Sequence, residues 1–159
     1  DEGVLDLIFT TAPDETSERV QTLPLVQSPL VVVCATSDAL QGRRSVRLPA
    51  IAERSQVGFP PGWGVRTQAD RAMRAAGVEP RIDLEVNDTT TLLDLVEAGL
   101  GIAILPAALA ELRPSLHRIA IRGQTSTWAI VAETAAPSPI NPAARALWEM
   151  LLSDRNSRA

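Results

Sequence analysis

Apolar residues fall into short runs along the chain, some alternating with polar residues and others spaced for one face of a helix. The first pattern predicts strands and the second predicts amphipathic helices. The predicted strands are Val4–Phe9, 20–34, Gln56–Phe59, Arg81–Val86, Gly101–Leu105, Leu116–Ile121 and Thr127–Val131. The predicted helices are Leu48–Arg54, Val65–Ala76, Asp88–Gly99, Pro106–Leu112 and Ala143–Leu152. Strands that alternate with helices indicate an α/β fold with largely parallel strand pairing.

Residues 83–106, with the sequence DLEVNDTTTLLDLVEAGLGIAILP, form the most informative segment. The pattern predicts a strand, a helix that opens on the polar run 88–91, and a second apolar strand that stops at Pro106. The first turn of such a helix offers hydroxyl groups and free backbone amides, which can hold a small anion or polar ligand. The segment contains no nucleophile–base pair and no metal cluster. It therefore indicates a binding domain and not an enzyme.

Composition and charge narrow the function classes. The chain has 159 residues, 45% of them hydrophobic and 21% charged, which is enough for one domain or for two small lobes. The formal net charge is −4, and no basic stripe is available to neutralise a nucleic-acid backbone. No apolar stretch reaches the length of a membrane span. We therefore expect this chain to contact neither nucleic acid nor a membrane.

The lone cysteine, the lone histidine and two tryptophans are expected to be structural. Cys34 follows an apolar strand and is expected to be a buried small hydrophobe, with no disulfide and no thiolate metal site. His117 is expected to be a surface residue or a satisfied structural one. Trp128 and Trp148 lie on apolar faces and are predicted core residues. No metal, catalytic residue or cofactor is predicted.

Several motifs resemble the effector-binding domain of LysR-type transcriptional regulators. The opening 3–9 (GVLDLIF) is similar to the family's G-x-x-D-L-A-I strand, and 76–80 (AGVEP) resembles the A-G-x-x-P that closes its second helix. The crossover strand is matched by 23–26 (LPLV) with 30–33 (LVVV). The longest and most specific match is 96–106 (VEAGLGIAILP), which resembles V-A-A-G-L-G-I-A-L-L-P.

The resemblance implies a two-lobed fold like that of type II periplasmic binding proteins, with the effector between the lobes. It places lobe II, nearly complete, at 28–121, and a partial lobe I at 1–27 and 122–159. The family's N-terminal DNA-binding domain, its linker helix and the first part of lobe I are absent here, so the chain is expected to be N-terminally truncated. The resemblance also implies a cytoplasmic homodimer or higher homo-oligomer that reaches DNA through the missing domain.

Three segments are candidates for the ligand site. Because ligands of α/β sheets bind beyond the carboxyl ends of strands, we predict that the opening strand's end and two strand-to-helix turns contribute. The candidates are Thr10 and Thr11; Phe59, Pro60, Gly62, Gly64, Val65 and Arg66; and Asp88, Thr89 and Thr90. Leu92 is expected to turn to the core, so the last segment stops at Thr91. Trp63 could cover an aromatic or apolar effector, and Arg66 is the candidate partner for a carboxylate effector.

Each candidate has a structural alternative. The two threonines could be ordinary loop residues, and the 59–65 segment could be a tight turn with a hydrophobic anchor. The polar run at 88–91 could simply cap its helix, and Arg66 could pair with Asp70 one helical turn away.

The leading function is a small-molecule sensor of a transcriptional regulator. A solute-binding protein of a transport system shares the bilobal architecture and is the alternative, whereas an enzyme on this scaffold is weakly supported. We also expect self-association, because the Val4–Phe9 strand and the face formed by Leu147, Trp148 and Leu151 should be partly uncovered.

Overall fold

A computed structural model describes residues 5–13, 17–123, 127–135 and 141–158, the last three of these by their backbone alone. The chain divides into two compact units, one formed by Asp1–Gln27 with Ala129–Ala159 and the other by Ser28–Trp128. Strand β2 (Val20–Cys34) contributes residues to both units. The division into lobes at 28 and 121 stays a prediction. In the described residues no helix is both long and apolar enough to cross a bilayer.

The larger unit, Ser28–Trp128, alternates short strands with helices. After β2 come the strand β3, a short 3-10 helix at Leu48–Ile51, and then strands and helices in turn. The bounds are β3 Ser45–Val46, β4 Val57–Gly58, α1 Gly64–Ala75, β5 Leu84–Glu85, α2 Thr89–Glu97, β6 Ala103–Pro106, α3 Ala107–Ala110 and β7 His117–Ile121. The sequence predicts these elements in this order except for β3, which is not among the predicted strands. The structure also shortens the first predicted helix to Leu48–Ile51 and the Arg81–Val86 strand to Leu84–Glu85.

The expectation of largely parallel pairing is wrong for the main sheet of this unit. Strand β2 pairs antiparallel with β6 on one side and with β7 on the other. The pairs β3 with β7 and β4 with β5 are parallel, as is the bridge between Gln56 and Ile102. The short strands therefore run in one direction and β2 runs in the other. Helices between strands predict only the directions of the strands that they connect.

Alternate residues of the sheet feed two separate clusters of buried side chains. Val32 and Ile104 belong to one cluster with Ala69 and Met73 of α1. Val33 and Leu105 belong to the other, which contains the buried residues of α2, namely Leu92, Leu93 and Val96. Because successive strand residues point to opposite faces, α1 and α2 cover opposite faces of the sheet. Trp128 is half-buried and packs against both clusters, in agreement with its predicted place in the core.

The two main helices follow from their apolar spacing. The predicted inward face of α1 is confirmed, since Val65, Ala69, Ala72 and Met73 are buried. Helix α2 buries Leu92 with no exposed surface, as predicted. Gly77 and Gly99 follow the two helices with φ angles of 73° and 77°, a left-handed conformation that ends helices and favours glycine.

The smaller unit contains β1 (Leu7–Thr11), the first part of β2, β8 (Thr127–Ala135, from Ala129 onward) and α4 (Pro142–Arg158). Strand β1 pairs antiparallel with β8, with Leu7 opposite Thr134 and Thr11 opposite Ile130. Leu23, Ala132 and Trp148 form its core. The predicted opening strand begins too early, and Val4 lies outside the described residues.

The predicted uncovered face on the smaller unit is only partly confirmed. Leu147 is 38% exposed and Phe9 is 54% exposed, but Trp148 is only 6% exposed because it packs on Leu23 and Ala132. Trp148 is thus a core residue, and it offers no surface to a partner.

Candidate functional site

The first strand-to-helix turn joins β4 to α1. Phe59 follows the strand and is 2% exposed. Gly62 adopts a φ of 92°, a left-handed conformation in which a residue with a side chain would be strained. Trp63 precedes the helix as its N-cap residue and stacks on Phe59, with ring centroids 4.9 Å apart and planes within 1°. Trp63 stays 42% exposed. The hydrophobic-anchor interpretation is therefore confirmed for Phe59, and Trp63 still presents aromatic surface to solvent.

Arg66 lies in the first turn of α1 and is held by three acceptors. Its Nε donates to Asp70 Oδ1 at 2.8 Å, and its Nη1 donates to the Phe59 carbonyl at 2.9 Å and to Glu85 Oε1 at 3.1 Å. Partial burial opposes the charge of Arg66, but the hydrogen bonds to Asp70 and Glu85 raise its pKa above the ordinary value. The pairing of Arg66 with Asp70 is confirmed. A role toward an effector carboxylate stays a prediction.

The second turn joins β5 to α2 and is closed by Asp88. Its Oδ1 accepts a hydrogen bond from the Thr91 backbone amide at 2.8 Å, so Asp88 is the N-cap. This bond to the backbone, together with the side-chain bond from Thr91, lowers the pKa of Asp88. The capping interpretation is confirmed for Asp88. Thr90 is exposed and Thr89 is half-buried, and neither is the N-cap residue.

Both turns lie at the same edge of the β4–β5 pair. These strands run parallel, with Gly58 opposite Glu85, and the Val86 amide donates to the Gly58 carbonyl at 3.0 Å. Helix α1 follows β4 and helix α2 follows β5, so both helix N-termini lie beyond the carboxyl ends of adjacent strands. Phe59 packs in one cluster with Leu92 and Leu93 of α2. The edge of this small sheet thus brings together two of the three predicted segments.

Sequence reasoning missed two residues near these turns. The carboxylate of Glu85 forms an ion pair with Arg66. The only feature of the sequence that could have indicated Glu85 was its polar position in the alternating run 83–87. Gln56 is 3% exposed and lines a cavity of about 20 Å³ beneath α1, together with Arg66 and Asp70. Its Nε2 is buried and has no hydrogen-bond acceptor among the described residues. A cavity of this size has room for about one water molecule.

The third predicted segment differs from its expected position. Thr10 and Thr11 lie within β1, where they pair with Val131 and Ile130, and not beyond the end of the strand. The strand extends past Phe9 because Val131 and Ile130 of β8 continue the antiparallel pairing opposite these two threonines. Both threonines are half-buried residues of the smaller unit, and their part in a ligand site stays a prediction.

The lone cysteine is buried, as predicted, and the ring of the lone histidine contacts a backbone carbonyl. Cys34 has no exposed surface, and its burial, with a smaller effect of Asp38, raises the pKa of the thiol to about 11. His117 places Nε2 at 3.0 Å from the Arg43 carbonyl. In the described part of the chain no group of three or more His, Cys, Asp or Glu side chains could hold a metal ion.

We expect Asp88→Ala to lower the melting temperature by about 2–5 °C at neutral pH, because it removes the cap of α2. A carboxylate whose pKa is lowered on folding stabilises the protein above its ordinary pKa, near 4, and loses this effect as the pH falls through the folded value. The difference in melting temperature between wild type and Asp88→Ala should therefore shrink as the pH falls from about 5 to about 2. Thermal melts across this range check it, with Asp88→Asn as the control that keeps the hydrogen bond. Equal melting temperatures for wild type and Asp88→Ala at pH 7 would contradict the assignment.

Comparisons with known proteins give a consistent result. The family model described as the LysR substrate binding domain matches residues 1–155. The malonate utilization transcriptional regulator of Klebsiella pneumoniae is 28% identical over 105 residues, which cover 66% of this chain and 34% of that protein. The uncharacterized HTH-type transcriptional regulator YnfL of Escherichia coli K12 is 33% identical over 116 residues, covering 70% of this chain and 38% of that protein.

Solved structures agree with the sequence matches. The effector binding domain of QuiR in complex with shikimate has a TM-score of 0.78 at 25% identity, covering 93% of this chain and 70% of that one. Full-length CbnR complexed with its target DNA has a TM-score of 0.77 at 20% identity, with 99% and 54% covered, and shows the fold alone. The chain spans only about a third of the length of the two curated relatives.

Proposed function

The chain belongs to the LysR substrate-binding domain family, and from this premise we propose that it senses a small-molecule effector for a bacterial transcriptional regulator. The match of the family model over residues 1–155 is the observation that carries the proposal. The relatives named above are transcriptional regulators, which agrees with the prediction of a binding domain and not an enzyme. They lend no support to the transport alternative.

The role of the whole protein is proposed from the relatives, since they are longer than this chain. We propose a cytoplasmic regulator that is a dimer or higher homo-oligomer and that contacts DNA through a segment other than this one. A formal charge of −4 gives this chain no electrostatic attraction for a phosphate backbone. For the lobes we retain 28–121 as lobe II and the two flanking segments as lobe I.

We place part of the effector site at the two turns that follow β4 and β5. Two helix N-termini meet at this edge, where backbone amides favour anionic groups. Thr90 is exposed beside the cap and is free of the capping role, so its hydroxyl can serve a ligand. Trp63 offers an exposed aromatic face, and Arg66 already binds two carboxylates of the chain. A small carboxylate is therefore the effector class that these residues support best.

Two carboxylates serve as probes of this proposal. Shikimate is present in the complex of the QuiR domain, and the Klebsiella regulator is named for malonate utilization. At about 100 times its dissociation constant a ligand adds about 2.7 kcal/mol of stability, which corresponds to a rise in melting temperature of about 5–10 °C. We expect at least one of the two to raise the melting temperature of the chain saturably. A melting temperature that does not change with the concentration of either probe would contradict the proposal of a carboxylate effector.

A further inference from the structure

The two carboxylates on Arg66 differ in how firmly they are held. Asp70 lies one turn along the same helix, accepts from Nε at 2.8 Å, and has a side chain that is 16% exposed. Glu85 lies on β5, accepts from Nη1 at 3.1 Å, and has a side chain that is 46% exposed. An exposed ion pair is weak and opens readily, whereas the Asp70 pair is shielded and local. Glu85 is therefore the partner that can leave Arg66.

The charges around Arg66 oppose a third carboxylate while Glu85 is in place. The guanidinium of Arg66 carries one positive charge and already faces two negative side chains. Asp70 has a second cation within ion-pair distance, Arg74, whose Nη2 is 3.9 Å from Asp70 Oδ2 and whose side chain is 58% exposed. A like charge close to a binding position is unfavourable. An incoming carboxylate would gain a net attraction to Arg66 only after Glu85 has moved away.

We propose that Glu85 occupies the position of the effector carboxylate and exchanges with it on Arg66. This inference rests on the proposed function, because it names the residue that competes for the same site. Arg66 stays anchored during the exchange by Asp70 and by the carbonyl of Phe59. The guanidinium thus keeps its position, and the two carboxylates compete for one place. Glu85 acts as an internal competitor that sets the affinity and selects for ligands with a carboxylate.

The exchange also links the two turns. Glu85 is paired with Gly58 of β4 and lies three residues before Asp88, the cap of α2. Its side chain joins the β5–α2 segment to Arg66 on α1. When an effector carboxylate takes the place of Glu85, the β5–α2 segment loses its ion pair with α1, and the ligand binds Arg66 instead. Ligand binding therefore changes the contacts of the segment that leads into α2.

Glu85→Gln tests this competition. It keeps the shape of the side chain and removes the charge that faces Arg66. An internal competitor lowers apparent affinity by the fraction of molecules in which it blocks the site, so its removal should tighten binding about threefold to tenfold. Calorimetric titrations with shikimate and malonate on the 159-residue chain measure the change. The matched control is Glu111→Gln, which removes an exposed carboxylate that pairs with Arg118 and not with Arg66.

The outcomes separate this inference from the proposed function. Tighter binding in Glu85→Gln, with unchanged binding in Glu111→Gln, supports the exchange. Methyl shikimate, which lacks the carboxylate charge, should gain nothing from Glu85→Gln. If wild type binds a probe and Glu85→Gln binds it equally or more weakly, the exchange is overturned and the proposed function stands. If neither protein binds either probe, the carboxylate class and the exchange are overturned together.

Discussion

Leu92→Ala is expected to lower the free energy of unfolding by about 2–5 kcal/mol, the largest loss among the substitutions considered. Leu92 has no exposed surface and packs in the cluster that joins α2 to Phe59 and Leu105. Removing its side chain loses apolar burial and leaves a cavity beneath the helix. Urea unfolding followed by circular dichroism measures the loss.

Thr90→Ala is the matched control, because Thr90 lies on the exposed side of the same helix turn. Its loss of stability should stay within about 0.5 kcal/mol, as is usual for surface positions. Comparing the stability losses of Leu92→Ala and Thr90→Ala therefore tests where the ligand-facing residues end and the core begins. Similar losses for both substitutions would contradict the boundary between Thr91 and Leu92.

Gly101→Ala is expected to cost about 1–3 kcal/mol, because the backbone leaves no room for a side chain. A Cβ at this position would lie 2.7 Å from the Ser55 carbonyl oxygen. The strands cannot separate to relieve the contact, since the Ile102 amide donates to that same carbonyl at 2.9 Å and the Val57 amide donates to the Ile102 carbonyl at 2.8 Å. Equilibrium unfolding in urea gives the value.

Gly58→Ala is the comparison that separates a backbone contact from a side-chain contact. Its Cβ would lie 2.9 Å from the Ile82 Cδ1, the end of a flexible side chain that can turn away. The loss should be smaller than for Gly101→Ala, and Ile82→Val should recover part of it. A larger loss for Gly58→Ala than for Gly101→Ala would contradict this account of the close approach between β4 and β6.

The helices could be predicted because their signals are local. The apolar spacing of Val65, Ala69 and Met73 predicts the buried face of α1, and the polar run before Leu92 predicts the start of α2. The strand partners could not be predicted in this way. Strand β2 lies between β6 and β7, and its antiparallel direction depends on residues far along the chain. Thr10 and Thr11 were misplaced for the same reason, since β8 decides where β1 ends.

The candidate site shows the same division. Asp88 as a cap and Arg66 with Asp70 are contacts within one helical turn, so the sequence contains their pattern. The contact of Arg66 with Glu85 requires β4 and β5 to be adjacent and in a known register, which no local pattern specifies. The stacking of Trp63 on Phe59 depends in turn on the φ of Gly62.

Calorimetric titration of wild type, Thr90→Ala and Arg66→Ala with shikimate and malonate tests the central claim most directly. We expect Thr90→Ala to weaken binding about twofold to tenfold, the effect of losing one hydrogen bond, with an unchanged melting temperature. Arg66→Ala should weaken it more, since a charged partner is lost. A probe that binds wild type and both variants with equal affinity would remove these two turns from the effector site.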